Sequence, residues 1–157
     1  MRVPSPRAAG RDWLNGPLVW AIEAAWQAMY LFPRDCPRIV LWRAPHTTGE
    51  DLDRWWGGRD CTAIAHIEWA WLERVRTAVI HRYELPVTPF EDLDDAGMWV
   101  ARTPVKPIGR EILDDLTAEM RAIGVELRVM ERLTPLRGVW DTSLHASGVR
   151  LRNAQGW

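Results

Sequence analysis

The chain has 157 residues, 47% of them apolar and 26% charged, with a net charge of −1. That length suits a domain with a real core, and the balanced charge gives no global field favouring DNA, RNA or an anionic membrane. No apolar run reaches the roughly 18 residues of a bilayer-spanning helix, and the N-terminal stretch lacks the apolar core of a signal peptide, so a cytoplasmic protein is expected.

Residues 1–16 carry Pro4, Pro6, Gly10 and Gly16 without a hydrophobic period and read as irregular, within a single domain spanning 1–157. The run Pro17–Ile22 suits a strand. Glu23–Phe32 has helix formers, with Ala24, Met29 and Phe32 able to share a face, and Pro33 stops it. Arg38–Arg43 is β-branched and bounded by Pro37 and Pro45, a strand. Thr47–Trp56 reads as a helix capped by Thr48, with Glu50 and Asp51 favoured in its first turn by the helix dipole. Gly57 and Gly58 end it.

Cys61–Glu68 reads as a strand, Trp69–Arg76 as a short helix and Ala78–Leu85 as a strand. Gly97–Ile108 reads as another strand, irregular at Pro104. Arg110–Gly124 has the clearest helical period: Ile112, Leu113, Leu116, Met120 and Ile123 share a face, and Gly124 sits at the C-cap. Val125–Met130 is a strand, Thr134–His145 a helix interrupted at Gly138, and Gly148–Ala154 a closing strand. Strands and helices mix without strict alternation. That predicts an α+β fold with mixed or antiparallel twisted sheets and flanking short helices.

The chemistry-bearing candidates are dispersed. Glu91, Asp92, Asp94 and Asp95 crowd one proline-bounded tip. The tip is either a solvated turn or a device that delivers a carboxylate to a site, as a base or as a stabiliser of a developing cation. His46 and Thr47 lie beside a predicted helix N-terminus, which is either a plain loop or a place where backbone N–H groups hold an anion. Arg34, Asp35 and Arg38 sit between two prolines, as a local ion pair or as a bidentate partner for phosphate. Asn153 can read an amide or a ribose. His66 and His81 lie within apolar strands and are expected to be core imidazoles. Cys36 and Cys61 read as buried apolar thiols, too few for a disulfide framework. No histidine pair has metal-ligand spacing, and neither a nucleophile elbow nor a glycine-rich phosphate loop is present. No metal is expected. Eleven tryptophans are spread through the chain, most of them expected in the core.

"PRDCPR", "RYELP", "AGMWVART" and "RNAQ" together resemble a bacterial family of small proteins of unknown function, from about Pro4 to the end. A second resemblance is to the ADP-ribosyltransferase-like fold, in particular the small rifampin ADP-ribosyltransferases. Glu84, Pro86, Pro89, Phe90, Glu91 and Asp92 echo the order of that family's strand-to-loop segment. "LVWAIEAAWQAMY" resembles its strand and helix bearing a ring-stacking aromatic. The resemblance implies NAD or a related small-molecule nucleotide as substrate. Trp20 would lie on the nicotinamide face, with Tyr30, Arg34, His46, Thr47 and Asn153 as further nucleotide-binding residues. Glu91 or Asp92 would stabilise the ribosyl oxocarbenium.

One departure from that family concerns its first strand, where a histidine or arginine holds the NAD ribose. This chain has no histidine before His46, and Arg2, Arg7 and Arg11 lie in an unpatterned segment. Either the N-terminal part is incomplete or the ribose position is degenerate. The alternative expectation is a non-catalytic domain of the same fold that binds a nucleotide or a protein.

Overall fold

A computed structural model describes residues 16–157, so the irregular stretch expected over 1–16 lies, but for Gly16, outside the described residues. The chain is α+β and divides into two compact units. The first comprises residues 1–27 and 81–112, the second residues 28–80 and 113–157. Among the described residues, no helix is long and apolar enough to cross a membrane.

The first unit holds a three-stranded antiparallel sheet of β1 (Val19–Ile22), β6 (Met98–Ala101) and β5 (Glu91–Asp92), in the order β1-β6-β5. β1 pairs with β6 from Val19–Ala101 to Ile22–Met98. The β5–β6 connection is tight: Leu93 N–H donates to Met98 O at 3.0 Å and Met98 N–H to Asp95 O at 3.0 Å. Asp94, Ala96 and Gly97 have φ of 51°, 49° and 68° there. Gly97 has no alternative, because a Cβ on it would stand 2.4 Å from Trp26 Cδ1. Its carbonyl also accepts the Glu23 N–H at 2.9 Å. Glycine therefore lets the turn close against β1.

A two-stranded ribbon joins β4 (Ile80–Glu84) to β7 (Gly109–Leu113). Arg82 donates to Glu111 Oε2 at 2.6 Å through Nη2 and to Gln27 Oε1 at 3.0 Å through Nη1. His81, expected in a core, is exposed and stacks on Tyr83 with ring centroids 6.3 Å apart. Alternation along a two-stranded ribbon turns one face outward, and His81 lies on it.

The second unit is built on a mixed four-stranded sheet in the order β8-β3-β2-β9. β2 (Arg38–Trp42) and β3 (Ala63–Glu68) are its central strands and are buried at every position. β8 (Val125–Met130) pairs parallel to β3, and β9 (His145–Val149) pairs antiparallel to β2. One face carries Ile39, Leu41 and Ile64 into a core with Trp56, Leu133, Leu136 and Val139. Burying one such aliphatic side chain contributes roughly 1.5–3 kcal/mol.

α1 (Gly49–Asp51) starts at Thr48, whose hydroxyl accepts the Asp51 N–H, and continues as a π-helical turn over Leu52–Trp56. The Arg128 guanidinium donates to the carbonyls of Trp55 and Trp56 at 3.1 and 2.8 Å, satisfying the end of that turn,. α2 (Trp69–Thr77) and α3 (Leu116–Ala122) pack against β3 and β8. The chain passes from the first unit into the second within Ala24–Tyr30, a 3₁₀ helix where an α-helix is expected.

Three further expectations change. The helix expected over Arg110–Gly124 begins only at Leu116, because Asp115 accepts the Ala118 N–H and caps it there. Ile112 and Leu113 instead belong to β7. The strand expected over Gly97–Ile108 ends at Ala101. Likewise β9 ends at Val149 and Leu151–Asn153 turn as 3₁₀ helix, with Arg150 at φ 56° between them.

Candidate functional site

Register in the three-stranded sheet brings two of the predicted site residues together. Trp20 pairs with Val100 from one side and Glu91 pairs with Val100 from the other. Directly opposed residues in antiparallel strands share a face, so the indole, Val100 and the carboxylate form one row. With neighbouring strands about 4.8 Å apart, the row is roughly 10 Å long. Val100 is fully buried, while Trp20 keeps 52% of its surface exposed. The exposed indole and the carboxylate thus flank a covered apolar position.

Arg102, in the bend just beyond β6, reaches that same row: its Nε lies 3.6 Å from Glu91 Oε1. Sequence reasoning missed it, because a residue past the end of a strand carries no alternation signal.

Asp92 is turned away. It pairs with Trp99 in the next row, on the opposite face. Its Oδ1 accepts the Asp94 N–H at 2.8 Å, so the side chain shapes the tight turn. Trp99 on that face donates from Nε1 to Glu23 Oε1 at 2.9 Å, tying β6 to the residue that follows β1. The acidic tip therefore divides: Glu91 faces the indole and Asp92 holds the turn.

The other predicted residues belong to the second unit, and most have structural partners there. Thr47 Oγ1 accepts the Ala44 N–H at 2.7 Å and donates to Ser143 O at 3.3 Å. His46 is exposed in the same turn. Arg34 is exposed, and its carbonyl accepts from Arg150 Nε at 3.3 Å. Asn153 Nδ2 donates to Asp35 O at 2.8 Å. The ion pair expected among Arg34, Asp35 and Arg38 instead joins Asp35 to Arg150, at 3.8 Å. These contacts lock the "PRDCPR" connection to the last 3₁₀ turn.

Arg38 is buried beneath Phe32 and donates to the carbonyls of Met29 and Cys36, both at 2.8 Å. Burial lowers its pKa to about 10. Tyr30 is 44% exposed at the surface, yet desolvation of its phenol raises its pKa against the opposing pull of Arg38. Burial pushes the Cys36 thiol up to about 12, so it stays a thiol,. Cys61 is only partly buried, and its thiol is also raised by desolvation. Among the described residues, no group of His, Cys, Asp and Glu is placed to hold a metal.

The model of a family of unknown function, DUF6886, matches residues 1–154. No curated protein and no solved structure matches the chain.

Proposed function

The chain belongs to that family, and we propose that the row Trp20–Val100–Glu91 binds NAD or a related nucleotide and acts as an ADP-ribosyltransferase-like centre. The observation that supports this reading is the shared face of Trp20 and Glu91 on either side of Val100. An exposed indole offers a stacking surface to a flat ring. A row of roughly 10 Å spans such a ring and the ribose beside it. Glu91 then stands where positive charge develops at the anomeric carbon.

The C1′–N bond to nicotinamide breaks and its electron pair leaves on the nicotinamide nitrogen. The oxocarbenium at C1′ is stabilised by the Glu91 carboxylate. A lone pair on the acceptor forms the new bond at C1′, and the acceptor's proton passes to solvent.

The Glu91–Arg102 ion pair favours a second reading. A guanidinium beside the carboxylate neutralises the charge that catalysis would use, which suits a domain that binds a nucleotide without turning it over. Calorimetric titration with NAD, followed by an assay of nicotinamide release, separates the two. Binding with release that is lost in Glu91→Gln supports the transferase. Binding without release supports the binding domain. Absence of binding overturns both.

A further inference from the structure

The acidic tip opposes any nucleotide that lies along the Trp20–Val100–Glu91 row. Glu91, Asp92, Asp94 and Asp95 put four carboxylates within five residues, and a nucleotide carries negative charge of its own on phosphate. Like charges a few ångströms apart repel. A nucleotide site here needs a cation at the carboxylate end of the row, where the phosphate would follow the ribose.

Arg102 is placed to be that cation. It lies in the bend just beyond β6. Its Nε is 3.6 Å from Glu91 Oε1, and the two side chains are 45% and 57% exposed. That separation exceeds the length of a charge-assisted hydrogen bond, about 2.7–2.9 Å. Water screens both partners, so an ion pair of this kind is held weakly. A phosphate draws the guanidinium away at small cost, because the planar fork suits parallel N–H···O bonds to its oxygens.

The order of groups fits the same ligand. Trp20, Val100 and Glu91 follow one another across the sheet, and the Arg102 guanidinium reaches the Glu91 end. Indole, carboxylate and guanidinium thus stand in the order in which a mononucleotide carries its flat ring, ribose and 5′-phosphate. All of these residues belong to the first unit.

We propose, resting on the reading of the row as a nucleotide site, that Arg102 contacts the phosphate and makes the site select a nucleotide over the nucleoside that lacks its 5′-phosphate. The guanidinium then shares its charge between two anions. Glu91 recovers part of the negative charge that the ion pair offsets in the free protein.

The experiment is calorimetric titration of the whole chain with nicotinamide mononucleotide and with nicotinamide riboside, which differ by one phosphate. The parent protein should bind the mononucleotide about tenfold more tightly, the size of one charge-assisted contact. Arg102→Ala, at an exposed bend position, should weaken the mononucleotide by about tenfold and leave the riboside within about twofold. Arg102→Lys should keep part of the preference, since the charge stays and the fork is lost. Equal affinity for the two probes in the parent, or a preference that persists in Arg102→Ala, overturns the role of Arg102 while the row stands as a ring-and-ribose site. Binding of neither probe overturns the row as a nucleotide site and the role of Arg102 with it.

Discussion

Trp20 and Glu91 never pair with each other, yet both pair with Val100, one from each side. Residues 71 positions apart in the chain thereby share one face of one sheet. The relationship separates Glu91 from its neighbour Asp92, which faces the other way.

That separation is testable by paired substitutions. Trp20→Ala should weaken NAD about tenfold or more, the loss expected of one stacked ring. Glu91→Gln should leave affinity within a few fold and reduce nicotinamide release by about 10²–10³. Asp92→Asn should leave release nearly unchanged. Calorimetry and a nicotinamide assay read the three outcomes; equal losses in Glu91→Gln and Asp92→Asn would sink the assignment of faces.

Gly97→Ala should destabilise the first unit by about 2 kcal/mol or more. The new Cβ meets Trp26 at 2.4 Å and the backbone sits at φ 68°, so a steric cost adds to a conformational one. Urea denaturation measures it. NAD affinity should fall in parallel, since this turn sets the β5–β6 register.

Glu68 is 3% exposed and its carboxylate accepts two backbone donors, Leu133 N–H at 3.1 Å and Gln155 N–H at 3.0 Å. Glu68→Ala would strand both donors and should cost about 2–4 kcal/mol. Faster amide exchange at Leu133 and Gln155 should accompany the loss. Unchanged protection at both amides would show that water replaces the carboxylate freely.

His66 gives the protein an acid-side weakness. Burial lowers its pKa to about 4, aided by Arg128 and opposed by the Ile39 carbonyl and Glu126. An unfolded histidine titrates near 6.5. Between those values the unfolded chain binds the proton and the folded chain does not. Stability is therefore undiminished above about pH 6.5 and declines as pH falls towards about 4, by roughly 3 kcal/mol for this group. Denaturation midpoints measured across that range should fall less steeply in His66→Gln than in the parent protein. Identical slopes would place the imidazole in contact with water.

Short-range patterning was enough for the central strands. β-branched and apolar residues bounded by prolines marked β2 as Arg38–Arg43, against the observed Arg38–Trp42, and β8 was placed at its observed bounds. The Thr48 cap was also readable, because a hydroxyl three residues before Asp51 accepts its N–H once a helix starts there,. Patterning failed where two periods fit the same residues. Ile112 and Leu113 match the helical face of Leu116 and Met120, but pairing with β4 draws them into a strand and Asp115 delays the helix.

From sequence alone come the α+β composition, the buried strands and the acidic tip that contains Glu91, since each depends on residues within a few positions. Which carboxylate faces the indole, why Arg34 and Asn153 are tied into a clasp, and how His66 comes to line a cavity with Trp55 all required the folded chain. Strand register and side-chain burial are set by partners dozens of residues away, and a one-residue slip would have reversed every face.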